Sequence, residues 1–213
     1  VLQNRNDGIF EQACENLLQS DAIGNPRKFD YGTGFPLSPT TLRYLKVASD
    51  LKIMFGDLSG MKVAEIGGGY GGQGLVCDTL FEIGEYHLFD LPDVNKLAAK
   101  YLENFLLNGA YVSQTINTFT PQKFDLAISN YAFSELPKAL EEAYTRKVLR
   151  QSSRGYLTMN SGLSDHAGRA DAKLNMDELK ALLPEFEIFE ETPNTSRHNY
   201  IIVWGHRADA TLE

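Results

Sequence analysis

Cysteine is nearly absent from this chain: 213 residues hold two, Cys14 and Cys77, far apart and in no C-x-x-C. Neither a disulfide framework nor a cysteine-ligated zinc is expected, and a reducing cytoplasm suits the sequence. Also missing is any apolar run approaching a membrane span, and Val1-Leu2-Gln3-Asn4-Arg5-Asn6-Asp7 is polar where a secretory signal would be apolar. Positive charge is in short supply. Lys and Arg number 20 against 28 Asp and Glu, a net charge of −8, whereas a nucleic-acid binder needs a basic stripe to neutralise phosphates. Arg146, Lys147 and Arg150 come nearest and fit the solvated face of a helix. No repeat, low-complexity tract or linker divides the sequence, and 43% hydrophobic with 23% charged residues is the make-up of a globular domain. One domain is expected over residues 1–213, with an N-terminal extension at 1–57 and a core at 58–206.

What the chain does have is glycine, concentrated at one point. Lys62-Val63-Ala64-Glu65-Ile66 has the pattern of a short strand and runs into Gly67-Gly68-Gly69-Tyr70-Gly71-Gly72, five glycines in six residues. Glycine is costly to order, so such a strand-to-helix turn implies backbone lying against a bound molecule. Gly67, Gly69 and Gly72 satisfy the G-x-G-x-x-G of dinucleotide enzymes, and Asp90 follows at about the expected twenty-odd residues. Two features point away from NAD. The chain is short for a second, catalytic domain, and Glu65 completes Glu-x-Gly-x-Gly-x-Gly, which resembles the first motif of class I S-adenosylmethionine methyltransferases. An acid at that place can fix the glycine loop and hydrogen-bond the cationic amino-acid end of S-adenosylmethionine.

Along the rest of the chain, residues 10–18 are expected to form a short helix, followed by a Gly- and Pro-rich segment lying over the ligand. Ser38 is a candidate N-cap with Pro39 at the first helical position, and Leu42, Leu45, Ala48 and Leu51 recur at helical spacing toward Phe55. Strands are expected at 62–66, 85–90, 111–116, 124–129 and 155–160. Helices follow the glycine loop, run from Pro92 with Leu97, Ala98, Tyr101, Leu102 and Phe105 on one face to a stop at Asn108-Gly109, and occupy 137–149 and 177–183. Strands at 186–189 and 200–204 have no room for a helix between them. The alternation predicts an α/β fold, a doubly wound Rossmann-like sheet with an antiparallel last strand and an N-terminal helical extension.

Ligands of open α/β sheets bind beyond the carboxyl ends of the strands, which selects the segments that follow them. Asp90 can accept both ribose hydroxyls of an adenosine or N-cap the helix at Pro92; Leu91 would pack on the adenine and Asn117 meet its edge. Asn130 and Tyr131 follow the fourth strand, Asn130 on the cofactor side and Tyr131 toward the acceptor, and Glu135 is placed either to take a proton or to cap a helix. After the fifth strand, Asn160 opens a polar loop carrying His166, whose near-neutral intrinsic pKa suits a proton acceptor. Arg197 and His198, entering the last strand, could hold a polyol or phosphate. His87 lies inside a strand and His206 beyond the last, which makes neither a catalytic candidate. No cluster has metal-ligand spacing, although an oxygen-liganded Mg²⁺ needs none.

Together, Ile23-Gly24-Asn25-Pro26, Leu37-Ser38-Pro39-Thr40-Thr41-Leu42-Arg43-Tyr44, Phe89-Asp90-Leu91-Pro92, Ser129-Asn130-Tyr131-Ala132-Phe133-Ser134-Glu135, Gly155-Tyr156-Leu157-Thr158-Met159-Asn160 and Asn199 to Trp204 resemble one family, the bacterial sugar O-methyltransferases found with surface-polysaccharide biosynthesis genes. The turn Phe89-Asp90-Leu91-Pro92 also looks like that of enzymes methylating phenols. The resemblance implies S-adenosylmethionine as cofactor and a hydroxyl of a sugar or glycoconjugate as acceptor. A natural-product or phenolic O-methyltransferase is the alternative of the same chemistry, and a non-catalytic nucleotide-binding module the alternative of another class.

Overall fold

The computed structural model describes residues 1–5, 7–10, 12, 20–32, 36–160 and 173–212. Ser38 does cap the first long helix, α1 (Pro39–Phe55), its hydroxyl accepting the Thr41 amide at 3.1 Å. The helix stops at Gly56, whose φ of 79° is a conformation that favours glycine. From there the chain alternates: β1 (Lys62–Ile66), α2 (Gly72–Phe81), β2 (Glu85–Phe89), α3 (Pro92–Leu102), β3 (Ala110–Gln114), β4 (Phe124–Asn130), α4 (Ala132–Glu135), α5 (Lys138–Lys147), β5 (Ser152–Met159), α6 (Met176–Leu182), β6 (Glu187–Glu190) and β7 (Tyr200–Trp204).

The strands form one seven-stranded sheet in the order β3-β2-β1-β4-β5-β7-β6. β1 pairs in parallel with both β2 and β4, so the order reverses beside it, the place where such sheets open a crevice. β7 runs antiparallel between β5 and β6, as the short connection before it requires. β1, β2, β4 and β5 therefore all finish at one edge, with Ile66, Phe89, Asn130 and Met159.

Two apolar layers clamp the sheet. On one face α1 and α2 bring Leu45, Leu51, Met54, Val76 and Phe81 onto Val63, Tyr86, Ile128 and Tyr156. On the other, Phe133, Tyr144, Val148 and Leu179 cover Phe89, Leu157, Ile202 and Trp204. Gly155 is required there, because a Cβ would stand 2.0 Å from the Trp204 ring. The N-terminal residues are fastened to α1 by charge. Arg5 and Lys46 both pair with fully buried Asp50, at 2.7 and 2.5 Å, and the Tyr156 hydroxyl donates to the same carboxylate. Asp21 accepts the Ser38 amide at 2.6 Å and the Thr41 hydroxyl at 2.7 Å, holding the start of α1 from outside.

Several element limits differ from the sequence expectation, β3 among them, which runs Ala110–Gln114 rather than 111–116. α3 ends at Leu102, where i→i+3 bonds from Asn104 and Phe105 tighten the chain, and Leu97 is 55% exposed rather than on the buried face. Asn108-Gly109 is a separate turn, both amides donating to the Asp78 carboxylate of α2 at 2.8 Å. β5 begins at Ser152, since its polar first residues still pair by backbone, Ser152 opposite Phe124. Of the helix expected at 10–18, Phe10 and Gln12 are helical; residues 13–19 lie outside the described residues.

Candidate active site

The glycine turn is held from two sides. Gly67 donates to the Phe89 carbonyl at 2.8 Å, and Gly71 to the Gly68 carbonyl at 2.9 Å. Gly67, at φ 75°, also lies so close to α4 that an added Cβ would stand 2.0 Å from the Ala132 Cβ, so close packing and backbone conformation both demand glycine there. Gly69 presents open space instead, and its amide donates to Asp90 at 3.0 Å. The second Asp90 oxygen accepts the Leu91 amide at 2.8 Å. The second strand's acid is thereby bonded to the first strand's glycine loop, and the apolar Leu91 beside it is 69% exposed.

Glu65 is 2% exposed beneath the loop, accepting the Tyr86 hydroxyl at 2.9 Å. Burial pushes its carboxyl up to about 7, the Tyr86 bond opposing and the Asp90 charge adding to the rise. Such a group is neutral or charged according to what stands above it.

At the ends of β4 and β5 a second constellation forms. Asn130 donates to Gln73 of α2 at 3.4 Å, while its Oδ1 is buried with no partner among the described residues. Tyr131 follows with φ 67°, a strained conformation for an aromatic residue. Its hydroxyl donates to Glu191 and lies 3.2 Å from the Thr195 hydroxyl, and the Arg43 guanidinium sits 5.8 Å from its ring and 5.7 Å from that of Tyr44. Ser134 joins the two strand ends, its hydroxyl within 2.8 Å of both the Tyr131 carbonyl and Asn160 Oδ1 and accepting the Asn160 amide at 3.1 Å. Asn160 in turn donates to exposed Glu135 at 3.0 Å. Lys173 reaches the Ser134 carbonyl from beyond.

Glu191 organises the far wall. It is 7% exposed and accepts the Tyr131 hydroxyl, the Thr195 amide and hydroxyl at 2.9 and 2.8 Å, and the Asn199 amide at 3.0 Å. Burial alone would push its carboxyl up; the bonds from Tyr131, Thr195 and Asn199 outweigh it and hold the group below the usual range.

Tyr131 lines two cavities. One, of about 730 Å³, lies between the N-terminal residues, α1 and the connection before β7, and is walled by Leu2, Phe10, Leu42, Arg43, Asn130, Tyr156 and Glu191 among others. It is mainly apolar. The other, about 640 Å³, is lined by the polar residues Glu135, Asn160, Lys173, Ser196, His198 and Asn199.

The structure thus brings Tyr131, Glu135, Asn160 and His198 together, and separately gathers Glu65, Gly67, Gly69, Gly71, Asp90 and Leu91 at the glycine turn. Arg197 is exposed outside the lining of either cavity, and Asn117 is exposed in the turn after β3. His166 lies outside the described residues. His87 is buried between Glu85 at 3.0 Å and Gln114 at 2.5 Å, in a packing role. Glu191, Ser134 and Arg43 were not among the sequence candidates. Glu191 follows the carboxyl end of β6 on the same sheet edge, a signal hidden until the direction of β6 is known. Among the described residues no three His, Cys, Asp or Glu side chains cluster to hold a metal, and no helix is long and apolar enough to cross a membrane.

No family model matches the chain, and no curated protein does. Solved structures do share its fold. The mitomycin 7-O-methyltransferase MmcR superposes with a TM-score of 0.56 at 18% identity, over 78% of this chain and 53% of that one, so the chain spans about half the length of that enzyme. The magnesium protoporphyrin IX methyltransferase ChlM of Synechocystis PCC 6803, with S-adenosylhomocysteine (SAH) bound, gives 0.54 at 13% identity, over 77% of this chain and 81% of that one. The pyocyanin biosynthetic protein PhzM gives 0.53 at 14%, over 94% and 69%. The architecture is a Rossmann-like sheet, shared with these methyltransferase structures, with an antiparallel last strand as the sequence led us to expect.

Proposed function

We propose that the chain is an S-adenosylmethionine-dependent methyltransferase acting on a hydroxyl of a small molecule. The observation that carries this reading is the 3.0 Å bond from Gly69 to Asp90, which sets a carboxylate, an open glycine backbone and exposed Leu91 side by side above buried Glu65. These fit a nucleoside with a cationic amino-acid tail: Asp90 toward ribose hydroxyls, Leu91 toward the base, Glu65 beneath the ammonium. S-adenosylmethionine, when bound, supplies a methyl on a sulfonium, so that an O–CH₃ bond forms as the S–CH₃ bond breaks, its electron pair staying on sulfur.

The chain's own residues align the acceptor and remove its proton. Asn130, expected on the cofactor side, also walls the apolar cavity and stands where the two ligands would meet. Glu135, oriented by Asn160, takes the proton in one reading; His166, on the segment beyond Asn160, takes it in the other. The polar cavity with Asn160, Ser196 and His198 suits the sugar acceptor implied by the sequence resemblance, including a role in polysaccharide or glycoconjugate biosynthesis. The larger apolar cavity favours the natural-product alternative.

Isothermal titration with SAH and with NAD separates methyl transfer from hydride transfer and from a module that binds neither. Asp90→Ala should lose about 1–3 kcal/mol of SAH binding while remaining folded. Unchanged affinity in a folded variant would remove Asp90 from the cofactor site, and NAD binding in place of SAH would end the proposal.

A further inference from the structure

The charges around the apolar cavity do not balance. Its wall holds Arg43, Lys46 and Glu191. Lys46 is committed to Asp50 at 2.5 Å, and Asp50 is further met by Arg5 and Tyr156. Glu191 is occupied by donors from Tyr131, Thr195 and Asn199. Arg43 has no carboxylate partner among the described residues. Its guanidinium lies near the rings of Tyr44 and Tyr131 and bonds the Tyr44 hydroxyl, contacts that orient a planar fork without neutralising it.

A second group in the same wall is also unmatched. Asn130 Oδ1 is buried without a donor, and an amide oxygen can only accept. The rest of the wall is mainly apolar, with Phe10, Leu42, Val47 and Tyr156. At about 730 Å³ the space lies within the range of about 300–1,000 Å³ common to small-molecule sites.

We propose that this cavity takes an aromatic acid bearing a hydroxyl: a flat apolar body, a carboxylate or comparably acidic group on Arg43, and a hydroxyl donating to Asn130. A free sugar leaves the apolar wall uncovered and Arg43 unmatched. That such a ligand is the methyl acceptor rests on the methyltransferase reading; that it binds here rests on the cavity.

The test is isothermal titration of the full chain, with and without SAH, using 3-hydroxy-2-naphthoic acid, its methyl ester and methyl glucoside. The acid should bind at least about tenfold tighter than the ester at low salt, as expected where a charge-assisted pair forms in apolar surroundings. Arg43→Gln should remove that preference by weakening acid binding far more than ester binding, whereas Arg43→Lys should keep part of it. Equal binding of acid and ester, a preference that survives in Arg43→Gln, or tighter binding of the glucoside would overturn the proposal. Should Arg43→Gln fail to fold, loss of the acid-over-ester preference in wild type at high salt would support the proposal and its persistence would overturn it. Arg43-dependent binding of the acid in a protein that ignores SAH would uphold this proposal and defeat the methyltransferase reading alone.

Discussion

Glu65 is held where its neutral form is favoured, and the consequence is measurable. Burial pushes it up to about 7 from 4.5, and burial does the same to Glu141, which accepts the Leu174 amide at 2.6 Å on the opposite face. Between those two values the folded protein keeps protons that the unfolded chain has lost. Their contribution to stability is therefore full below about 4.5, falls as pH rises toward about 7, and is gone above it. His87, held below 6.5 by burial, pulls the other way in part of this window, and Glu191 acts only at lower pH. The difference between wild type and Glu65→Gln isolates the residue, since the amide oxygen still accepts the Tyr86 bond. Thermal unfolding from about pH 5 to about pH 8 should show a flatter Tm profile in the variant. In the same variant SAH affinity should stop rising through pH 7, because a bound ammonium favours the ionised carboxylate that glutamine cannot form. Parallel Tm profiles would place the titration on another group.

The connection before β7 works as a unit because one carboxylate gathers it. Glu191→Gln removes the charge that holds Tyr131, Thr195 and Asn199, and the φ of 67° at Tyr131 then has less to maintain it. We expect a loss of about 1–3 kcal/mol in unfolding free energy and a kcat about tenfold lower or less, with SAH affinity within about twofold of wild type. A large loss of cofactor binding would instead tie this wall to the glycine turn. The sheet itself was legible in the sequence because β1, β2 and β4 are buried apolar runs, each ending in a polar or glycine segment at the functional edge. The position of Asp90, Tyr131 and Asn160 just beyond strand ends was legible for the same reason. Glu191 was not, since choosing it needs the direction of β6, which only pairing through β7 supplies. The end of α3 was misjudged because apolar spacing continues past Leu102 while the backbone has already turned.

At the scale of the whole molecule the question is whether the N-terminal extension is a lid on a self-sufficient core. Its composition, rich in Gly and Pro, suggests a loop over the ligand, from which one expects that deleting residues 1–37 abolishes methyl transfer and spares cofactor binding. Its contacts argue for more. Ile9 is fully buried in the layer under α1, Arg5 neutralises Asp50 in the interior, and Asp21 completes the cap of α1. Loss of Arg5 leaves Lys46 and Tyr156 on Asp50, so it costs less than the about 3–5 kcal/mol of a fully orphaned buried charge, while emptying a buried Ile site costs about 2–5 kcal/mol. With the Asp21 bonds to Ser38 and Thr41 also gone, the losses reach the lower end of the stability of an ordinary domain, about 5–15 kcal/mol. Deletion of 1–37 should accordingly give a chain without a cooperative thermal transition and without SAH binding. The single change Arg5→Ala, which leaves Lys46 and Tyr156 on Asp50, should lower Tm by several degrees yet keep SAH binding. Circular dichroism melts and titration of both variants decide the matter: a truncated chain that melts cooperatively and binds SAH would make the extension a lid after all, and Asp50 a charge that Lys46 and Tyr156 suffice to hold.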